Sequence, residues 1–151
     1  MGNIILLLFI TAVVNLFPPV ESARSHYGAR FYRGEIRVST EWEGTIRVTG
    51  KVTVKSGVTL TVAPGTRVLV SGGEDVRIVV EGKLFIRGLA EMKVTFEPAD
   101  GCGNGPPWGG IYFSEGSAGI LEGADIKCSK KGVWGELAGV TMIGVVTDNE
   151  S

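Results

Sequence analysis

Apolar and polar residues alternate along residues 52–70, which read VTVKSGVTLTVAPGTRVLV. Successive side chains of a β-strand point to opposite faces, so this alternation predicts strands rather than helices. The segments KSG and APG interrupt the alternation, and glycine tolerates the backbone angles that a tight corner needs. The stretch therefore predicts three short strands separated by two turns.

Pairs of apolar residues separated by one position recur along the chain in three series. The first series is Ile36/Val38, Leu60/Val62, Leu84/Ile86 and Ala118/Ile120. The second series is Ile46/Val48, Val68/Val70, Val94/Phe96 and Ile126/Cys128. The third series is Val52/Val54, Ile78/Val80 and Ile111/Phe113. Successive pairs stand 22 to 26 residues apart, and the interval then lengthens in every series to 32 to 34 residues. This common lengthening predicts one insertion between Phe96 and Ile111 in a repeat of about 25 residues.

Three strands repeating together at this period are typical of a parallel β-helix, in which each strand pairs with its equivalent in the next turn. We therefore expect an all-β fold, a right-handed parallel β-helix of about four turns. The right-handed sense follows from the strong preference of parallel crossover connections. The alternative is an antiparallel sandwich in which the repeat arose by chance.

Several phrases of the chain also resemble a known family. GTIRVTGKVTVKSGVTLTVAPGTRVLV, IVVEGKLFIRG, KVTFEP and WGGIYF look like the repeats of right-handed parallel β-helix proteins, exported surface proteins related in fold to the pectate lyases. The resemblance covers about residues 34–128 and rests on turn glycines and core pairs. It implies the fold, but the family includes lyases, hydrolases, adhesins and surface-layer components, so it does not select a function.

The N-terminal residues have the pattern of a targeting segment. The apolar run 4–17 is followed by Pro18 and Pro19 and then by the small residues Ser22 and Ala23, which predicts a signal peptide over 1–23. The missing Lys or Arg before the run leaves an uncleaved N-terminal anchor as the alternative. We expect a secreted or cell-surface protein with a cap segment at 24–33, the β-helix at 34–131, and an incomplete last turn or cap at 132–151.

The charge balance of the chain and the residue types expected on its outer surface bear on whether it is an enzyme. The 15 Lys and Arg balance 16 Asp and Glu, so no basic face for nucleic acid is expected. The residues between the apolar pairs should point outward, and none of those expected outward is a carboxylate; they are Arg37, Thr61, Phe85, Gly119, Arg47, Leu69, Thr95, Lys127, Thr53, Val79 and Tyr112. Glycoside hydrolysis normally needs two carboxyl groups, and the lyases that the chain resembles use clustered acids around calcium. We therefore predict no catalytic residues, with a polysaccharide lyase or hydrolase, or a fragment of one, as the alternative.

Metal and cofactor sites are not expected. Asp75, Asp100, Asp125 and Asp148 recur at about one turn, but they fall at different places relative to the strands, and aspartate is ordinary in turns. The single histidine, His26, precedes the first turn without a suitable partner at a recognisable spacing.

The two cysteines differ in position. Cys128 occupies an expected inward position, whereas Cys102 lies in the glycine-rich insertion ADGCGNGPP. An exported chain with an even cysteine count makes a Cys102–Cys128 disulfide possible, provided that the loop folds back over the core or that Cys128 faces a corner. A buried free thiol at Cys128 remains the alternative.

Outward apolar residues give the positive clue to function. Val79, Phe85, Trp108 and Tyr112 are expected on or near the outer surface, where aromatic side chains supply contact area for a carbohydrate or protein at low entropy cost. The alternative is that Trp108 and Phe85 pack under the insertion. The sequence thus predicts a non-catalytic β-helix module in cell-surface structure or adhesion.

The repeat fades after Ser129. Residues 132–147 include Val140 and Met142, which could continue the first series, but the neighbouring glycines give no further clean pairs. We expect this segment to form an incomplete last turn that self-associates, docks on another chain or docks on further turns downstream, because a terminal strand leaves backbone groups unpaired. An irregular cap over Cys128 is the alternative.

Overall fold

The computed structural model describes residues 28–150 and shows an all-β fold. Fourteen strands are present and no helix occurs within this range. The strands are β1 (Arg30–Ile36), β2 (Thr40–Trp42), β3 (Thr45–Val54), β4 (Thr59–Val62), β5 (Arg67–Val70), β6 (Ile78–Val80), β7 (Lys83–Arg87), β8 (Val94–Pro98), β9 (Ile111–Phe113), β10 (Ala118–Glu122), β11 (Ala124–Ser129), β12 (Val133–Gly135), β13 (Val140–Ile143) and β14 (Val146–Asn149). The expected signal peptide and His26 lie outside the described residues. Within them, no helix is long and apolar enough to cross a membrane.

All pairings between these strands are parallel, and they form two sheets. One sheet has the order β12-β9-β6-β3-β5-β8-β11-β14, with β1 also on β3, and the other has the order β13-β10-β7-β4-β2. The long β3 bends between two rows, because its first half pairs with β5 and its second half with β6. Three rows of strands result, an arrangement consistent with a parallel β-solenoid.

We name the three rows as faces. Face A contains β6, β9, β12 and the second halves of β1 and β3. Face B contains β2, β4, β7, β10 and β13. Face C contains β5, β8, β11, β14 and the first halves of β1 and β3. Along the chain the strands visit the faces in the repeating order B, C, A, so each strand lies beside one from the preceding repeat.

The interior is a continuous apolar column between the faces. Short strands such as β4, β5 and β6 alternate buried residues with half-buried or exposed ones, as the period-two pattern requires. The largest fully buried side chains are Trp42, Trp108, Phe96, Phe113, Ile46, Leu60, Ile78, Leu84, Ile86, Ile111, Leu121 and Ile126. Burial of these side chains supplies the main favourable free energy of folding.

The start of the first predicted series is wrong. Thr40 and Trp42, rather than Ile36 and Val38, stand opposite Leu60 and Val62. Ile36 belongs to face A, and Val38 is 75% exposed. Ile36 ends β1 and Val38 lies in the corner before β2, so the two residues do not share a strand. The large Trp42 side chain fills the interior of the first repeat on face B.

The first series is also wrong by one residue after the insertion. Gly119 and Leu121 align with Leu84 and Ile86, so Ala118 and Ile120 are not the inward pair. Gly119 faces inward without a side chain because the Phe113 ring occupies the space: a Cβ at Gly119 would lie 2.9 Å from Phe113 Cε1. A shift by one residue reverses the two sides of a strand, and Ile120 accordingly points outward.

On face C the predicted alignment differs by two residues. Phe96, not Val94, stands opposite Val68, and Glu97 stands opposite Leu69. A two-residue shift keeps the same side chains inward, so Val94 and Phe96 are both buried. The expectation that no outward strand residue is a carboxylate is wrong, however, because Glu41, Glu97 and Asp125 hold outward positions.

Candidate ligand-binding face

The outward side of face A carries a row of apolar residues on three neighbouring strands. Val79 on β6 is in register with Tyr112 on β9, and Tyr112 is in register with Trp134 on β12. All three side chains are half-buried. We call Val79, Tyr112 and Trp134 the aromatic row. Neighbouring strands are about 4.8 Å apart, so the three side chains follow one another closely across the face.

The two rings of the row lie against each other. The Tyr112 and Trp134 ring centroids are 4.4 Å apart and the rings are tilted by 51°. Gly135 makes this possible: any Cβ there would lie 2.8 Å from the Tyr112 ring, and its backbone φ of 103° disfavours other residues. The sequence therefore provides a glycine where the Tyr112 ring approaches the backbone.

Two further contacts orient Trp134. Its Nε1–H donates a hydrogen bond to the carbonyl oxygen of Gly109, at 3.1 Å. The Lys131 Nζ atom lies 4.1 Å from the centroid of the Trp134 ring, within the range of a cation–π interaction. The row thus combines fixed aromatic surface with an ammonium group beside it.

Sequence reasoning missed Trp134, because the glycines around it obscured the repeat. The signal that could have identified it is its interval from Tyr112, which is 134 − 112 = 22 residues and equals a repeat length seen earlier in the chain.

Trp108 is not available to a ligand. It is fully buried, and its ring stacks on Phe96 with centroids 6.2 Å apart and an angle of 14°. Its Nε1–H donates a hydrogen bond to the carbonyl oxygen of Lys127 at 2.9 Å. Trp108 therefore takes the packing role that the sequence left as the alternative.

Phe85 lies on face B, away from the aromatic row. It is in register with Ile120, and the two contribute to a shallow open pocket with Ile86, Arg87 and Glu122. The four residues expected to form one binding surface therefore divide. Val79 and Tyr112 share face A, Phe85 belongs to another face, and Trp108 is in the interior.

The insertion is fastened next to the aromatic row by a disulfide. Cys102 and Cys128 are bonded, with Cα atoms 5.7 Å apart, and Cys128 is buried at the end of face C. Cys128 has a φ of 53°, the only positive value at a non-glycine residue among those described. The bond holds the loop that leads into Trp108 and Gly109, and Gly109 in turn accepts the hydrogen bond from Trp134.

Two outward carboxylates on face C, Glu97 and Asp125, form ion pairs with neighbouring cations. Glu97 accepts a hydrogen bond from the Arg67 guanidinium at 2.8 Å, and Asp125 accepts one from Lys93 at 3.2 Å. Both of these acids pair with a base, whereas glycoside hydrolysis normally uses two carboxyl groups on opposite sides of the scissile bond.

A second charged group lies on the early part of face A. The Arg37 guanidinium, through a hydrogen bond and its charge, lowers the pKa of Glu35, and Lys55 adds to this effect. Glu81 accepts a hydrogen bond from Lys55 at 2.8 Å and raises the pKa of that amine. A general acid needs a raised carboxyl pKa, and Glu35 shifts in the opposite direction.

Metal ligands do not gather anywhere in the part of the chain that the structure describes. No group of three or more His, Cys, Asp or Glu residues there has a geometry that could hold a metal ion, and Asp75, Asp100, Asp125 and Asp148 are included in this finding.

The chain was compared with models of protein families, with curated proteins and with solved structures, and no match was found in any of the three comparisons.

Proposed function

We propose that this chain is a right-handed parallel β-helix that serves as a non-catalytic binding module at a cell surface, with the aromatic row as its carbohydrate-binding face. The parallel pairing of strands separated by one repeat supports the β-helix. The right-handed sense rests on the general preference of parallel crossovers. Counted by the five strands of face B, the coil has about five turns rather than the four expected from the sequence.

The aromatic row is the observation that carries the proposed binding function. Tyr112 and Trp134 present ring surface held by strand pairing and by the hydrogen bond to Gly109, so little conformational entropy is lost when a ligand binds. Sugar rings have apolar faces that pack on such surfaces and hydroxyl groups that hydrogen-bond to neighbouring polar groups. Lys131 beside Trp134 and the hydroxyl group of Tyr112 itself are available for such hydrogen bonds.

A glycan fits this row better than a protein partner does. The row is narrow, one side chain wide on each strand, whereas a stable protein interface needs roughly 800 Å² on each partner. An extended sugar chain can run across the strands and contact Val79, Tyr112 and Trp134 in succession. Protein binding at the same face is an outcome that the experiment below would detect.

Binding of the purified protein to immobilised neutral and acidic glycans tests the proposal. Trp134→Ala and Tyr112→Ala should each lower affinity for the bound glycan roughly tenfold or more, the loss expected for an aromatic residue central to a contact. Phe31→Ala is the matched control, since Phe31 is 68% exposed on β1 and lies outside the row. Failure to bind any glycan, or equal losses in the control, would contradict the proposal.

A polysaccharide-active enzyme is the alternative from a different functional class. Its test is incubation with polyuronates and neutral glycans, followed by ultraviolet absorbance and reducing-end measurements. The ion pairs of Glu97 and Asp125 and the lowered pKa of Glu35 support the non-catalytic proposal, which expects no product. Steady release of product by the purified chain would overturn it.

Export is the part of the proposal that rests on residues 1–23. Mass spectrometry of the protein recovered from an expressing cell should show a chain that begins near Arg24 if the segment is a cleaved signal peptide. An intact chain that sediments with membranes would favour the uncleaved anchor.

A further inference from the structure

Arg77 lies beside the aromatic row. It directly precedes β6, and its carbonyl oxygen accepts a hydrogen bond from the Val52 N–H at 3.0 Å, so the strand pairing extends to it. Residues two positions apart on a strand lie on the same side of the sheet. Arg77 and Val79, both half-buried, therefore share the outer side of face A, whereas Ile78 between them is fully buried.

Gly109 connects Arg77 to Trp134. The carbonyl oxygen of Gly109 accepts the hydrogen bond from the Trp134 indole. A Cβ at Gly109 would lie 2.9 Å from the Arg77 Cβ, so the base of the Arg77 side chain lies directly against this glycine. The arginine and the indole are thus neighbours of the same backbone segment, and a ligand packed on Trp134 would lie close to Arg77.

The Arg77 guanidinium lacks an acceptor. Its Nε atom is buried and has no hydrogen-bond partner among residues 28–150. Arg77 also takes part in none of the ion pairs in this part of the chain. Arginine remains charged in proteins, and a buried donor in a native protein generally has a partner, which can be a bound ion or ligand. The half-buried Arg77 side chain is therefore available to an acceptor from outside the chain.

The charges near Arg77 leave it unpaired. Glu74, in the turn before Arg77, forms an ion pair with Lys130 at 3.6 Å. Asp75 is exposed in the same turn and forms no ion pair with a described cation. Lys131 lies over the indole of the row and, within the described residues, has no carboxylate partner either. Arg77 and Lys131 are thus two positive charges beside the row that no carboxylate of residues 28–150 pairs with.

We propose that the aromatic row recognises a glycan that carries an anionic group, and that Arg77 binds this group; the proposal rests on the aromatic row being the glycan-binding face. The sugar ring packs on Trp134 and Tyr112, while its carboxylate or sulfate accepts hydrogen bonds from the planar guanidinium, which matches paired oxygen atoms. Lys131 contributes a second positive charge. The ligand class is therefore an acidic polysaccharide rather than a neutral one.

Chemically paired polymers test the charge requirement with the wild-type protein. The probes are a polyuronate and the same polymer after methyl esterification, and a sulfated glycan and its desulfated form. One of the acidic polymers should bind roughly tenfold more tightly than its uncharged counterpart, and added salt should reduce this advantage. The pair that shows the difference identifies carboxylate or sulfate as the anion. Equal binding of the charged and uncharged forms in both pairs would overturn the proposal.

Replacement of Arg77 tests whether this residue binds the anion. Arg77→Gln should lower affinity for the acidic polymer to about that of the uncharged form and leave binding of the uncharged form unchanged, because only the charged ligand contacts the guanidinium. Arg87→Gln is the matched control, since Arg87 also forms no ion pair in the described chain but is exposed on face B. A charge preference that survives in Arg77→Gln, or an equal loss in Arg87→Gln, would overturn the role of Arg77.

Trp134→Ala separates failure of this inference from failure of the proposed function. It should weaken binding of the charged and uncharged polymers alike, since it removes the surface on which both pack. Binding that needs Trp134 but ignores the charge of the ligand would overturn the anionic ligand and leave the aromatic row as the glycan site. Binding of no polymer, or binding unchanged in Trp134→Ala, would contradict both proposals. Circular dichroism establishes that each variant is folded, and the paired polymers test the charge requirement without any variant.

Discussion

The repeats before the insertion and those after it are built on the same strand pairing but are filled differently. Before it, the inward positions hold large aliphatic side chains that are fully buried, such as Ile46, Leu60 and Ile78. After it, Gly119 and Ala124 occupy inward positions, and Met142 is half-exposed. The later repeats thus combine small inward residues with the large rings of Phe113 and Trp108, whereas the earlier repeats are filled mainly by aliphatic side chains.

Two features compensate for the small inward residues of the later repeats. Trp108 brings a large fully buried ring against Phe96, and the Cys102–Cys128 bond ties the insertion to the end of β11. The outer surfaces of the early and later repeats also differ. Glu35, Lys55 and Glu81 form ion pairs on the early part of face A, whereas Tyr112 and Trp134 occupy its later part. The comparison indicates that the insertion stabilises the later repeats and orients the aromatic row.

Removal of the Trp108 side chain should destabilise the later repeats more than any other change considered below. Trp108→Ala empties a large buried volume, and we expect it to lower the free energy of unfolding by about 3–5 kcal/mol. Chemical denaturation measures this loss. Trp134→Ala, at a half-buried position, is the control. If Trp134→Ala lowered the free energy of unfolding as much as Trp108→Ala does, burial of Trp108 in the interior would not be the main source of stability in the later repeats.

Loss of the disulfide should have the next largest effect. Cys102→Ser frees the insertion from β11 and should lower the free energy of unfolding by about 2–4 kcal/mol, the range for a native disulfide. Reduction of the wild-type protein should reproduce this shift in thermal melting and leave the variant unchanged. Equal melting of the oxidised and reduced wild type would contradict a stabilising role of the bond.

Replacement of Trp108 or Trp42 by phenylalanine compares the later and early repeats through a single indole hydrogen bond. Trp108→Phe removes the donor to the Lys127 carbonyl and leaves that acceptor without its partner, which should cost about 0.5–1.5 kcal/mol more than Trp42→Phe. Trp42 Nε1–H has no acceptor among residues 28–150, so its removal forfeits no such bond. Denaturant midpoints for the two variants measure the difference, and a larger loss for Trp42→Phe would count against this view of the early repeats.

The smallest expected effect is a pH dependence in the early repeats. The pKa of Glu35 is lowered in the folded protein. The ionised Glu35 carboxylate therefore adds to the free energy of unfolding above the unfolded-state pKa, and this contribution is lost as the pH falls through the folded-state pKa. The gap in melting temperature between wild type and Glu35→Gln should therefore close in acid. Solvent exposure keeps the gap small, and added salt should reduce it further. A difference in melting temperature that widens in acid would contradict a lowered pKa of Glu35 in the folded protein.

Period-two alternation was sufficient to predict β4, β5 and β6 and the all-β parallel arrangement, because each buried residue there has a large side chain. It failed at Ala118 and Ile120, where the inward residue is Gly119 and the neighbouring Phe113 ring fills its place. It also failed at Val38, since apolarity alone does not locate a corner.

The candidate site was only partly predictable for a related reason. Val79 and Tyr112 follow from alternation within clear strands. Trp108 lies in a loop, where alternation carries no information on burial, so its packing on Phe96 depends on tertiary structure. The sequence could not decide whether Cys102 and Cys128 are bonded, because local spacing does not determine the path of a glycine-rich loop. Trp134 was missed because glycines surround it, although one of them, Gly135, is what admits the Tyr112 ring.

The indole N–H signals of the three tryptophans test the proposed binding face most directly. Trp42 and Trp108 are fully buried, whereas Trp134 is half-buried on the outer surface. In a nuclear magnetic resonance titration with a glycan that the protein binds, the Trp134 signal should shift with saturation while the other two stay in place. Saturable binding that leaves the Trp134 signal unmoved would contradict the aromatic row as the binding site.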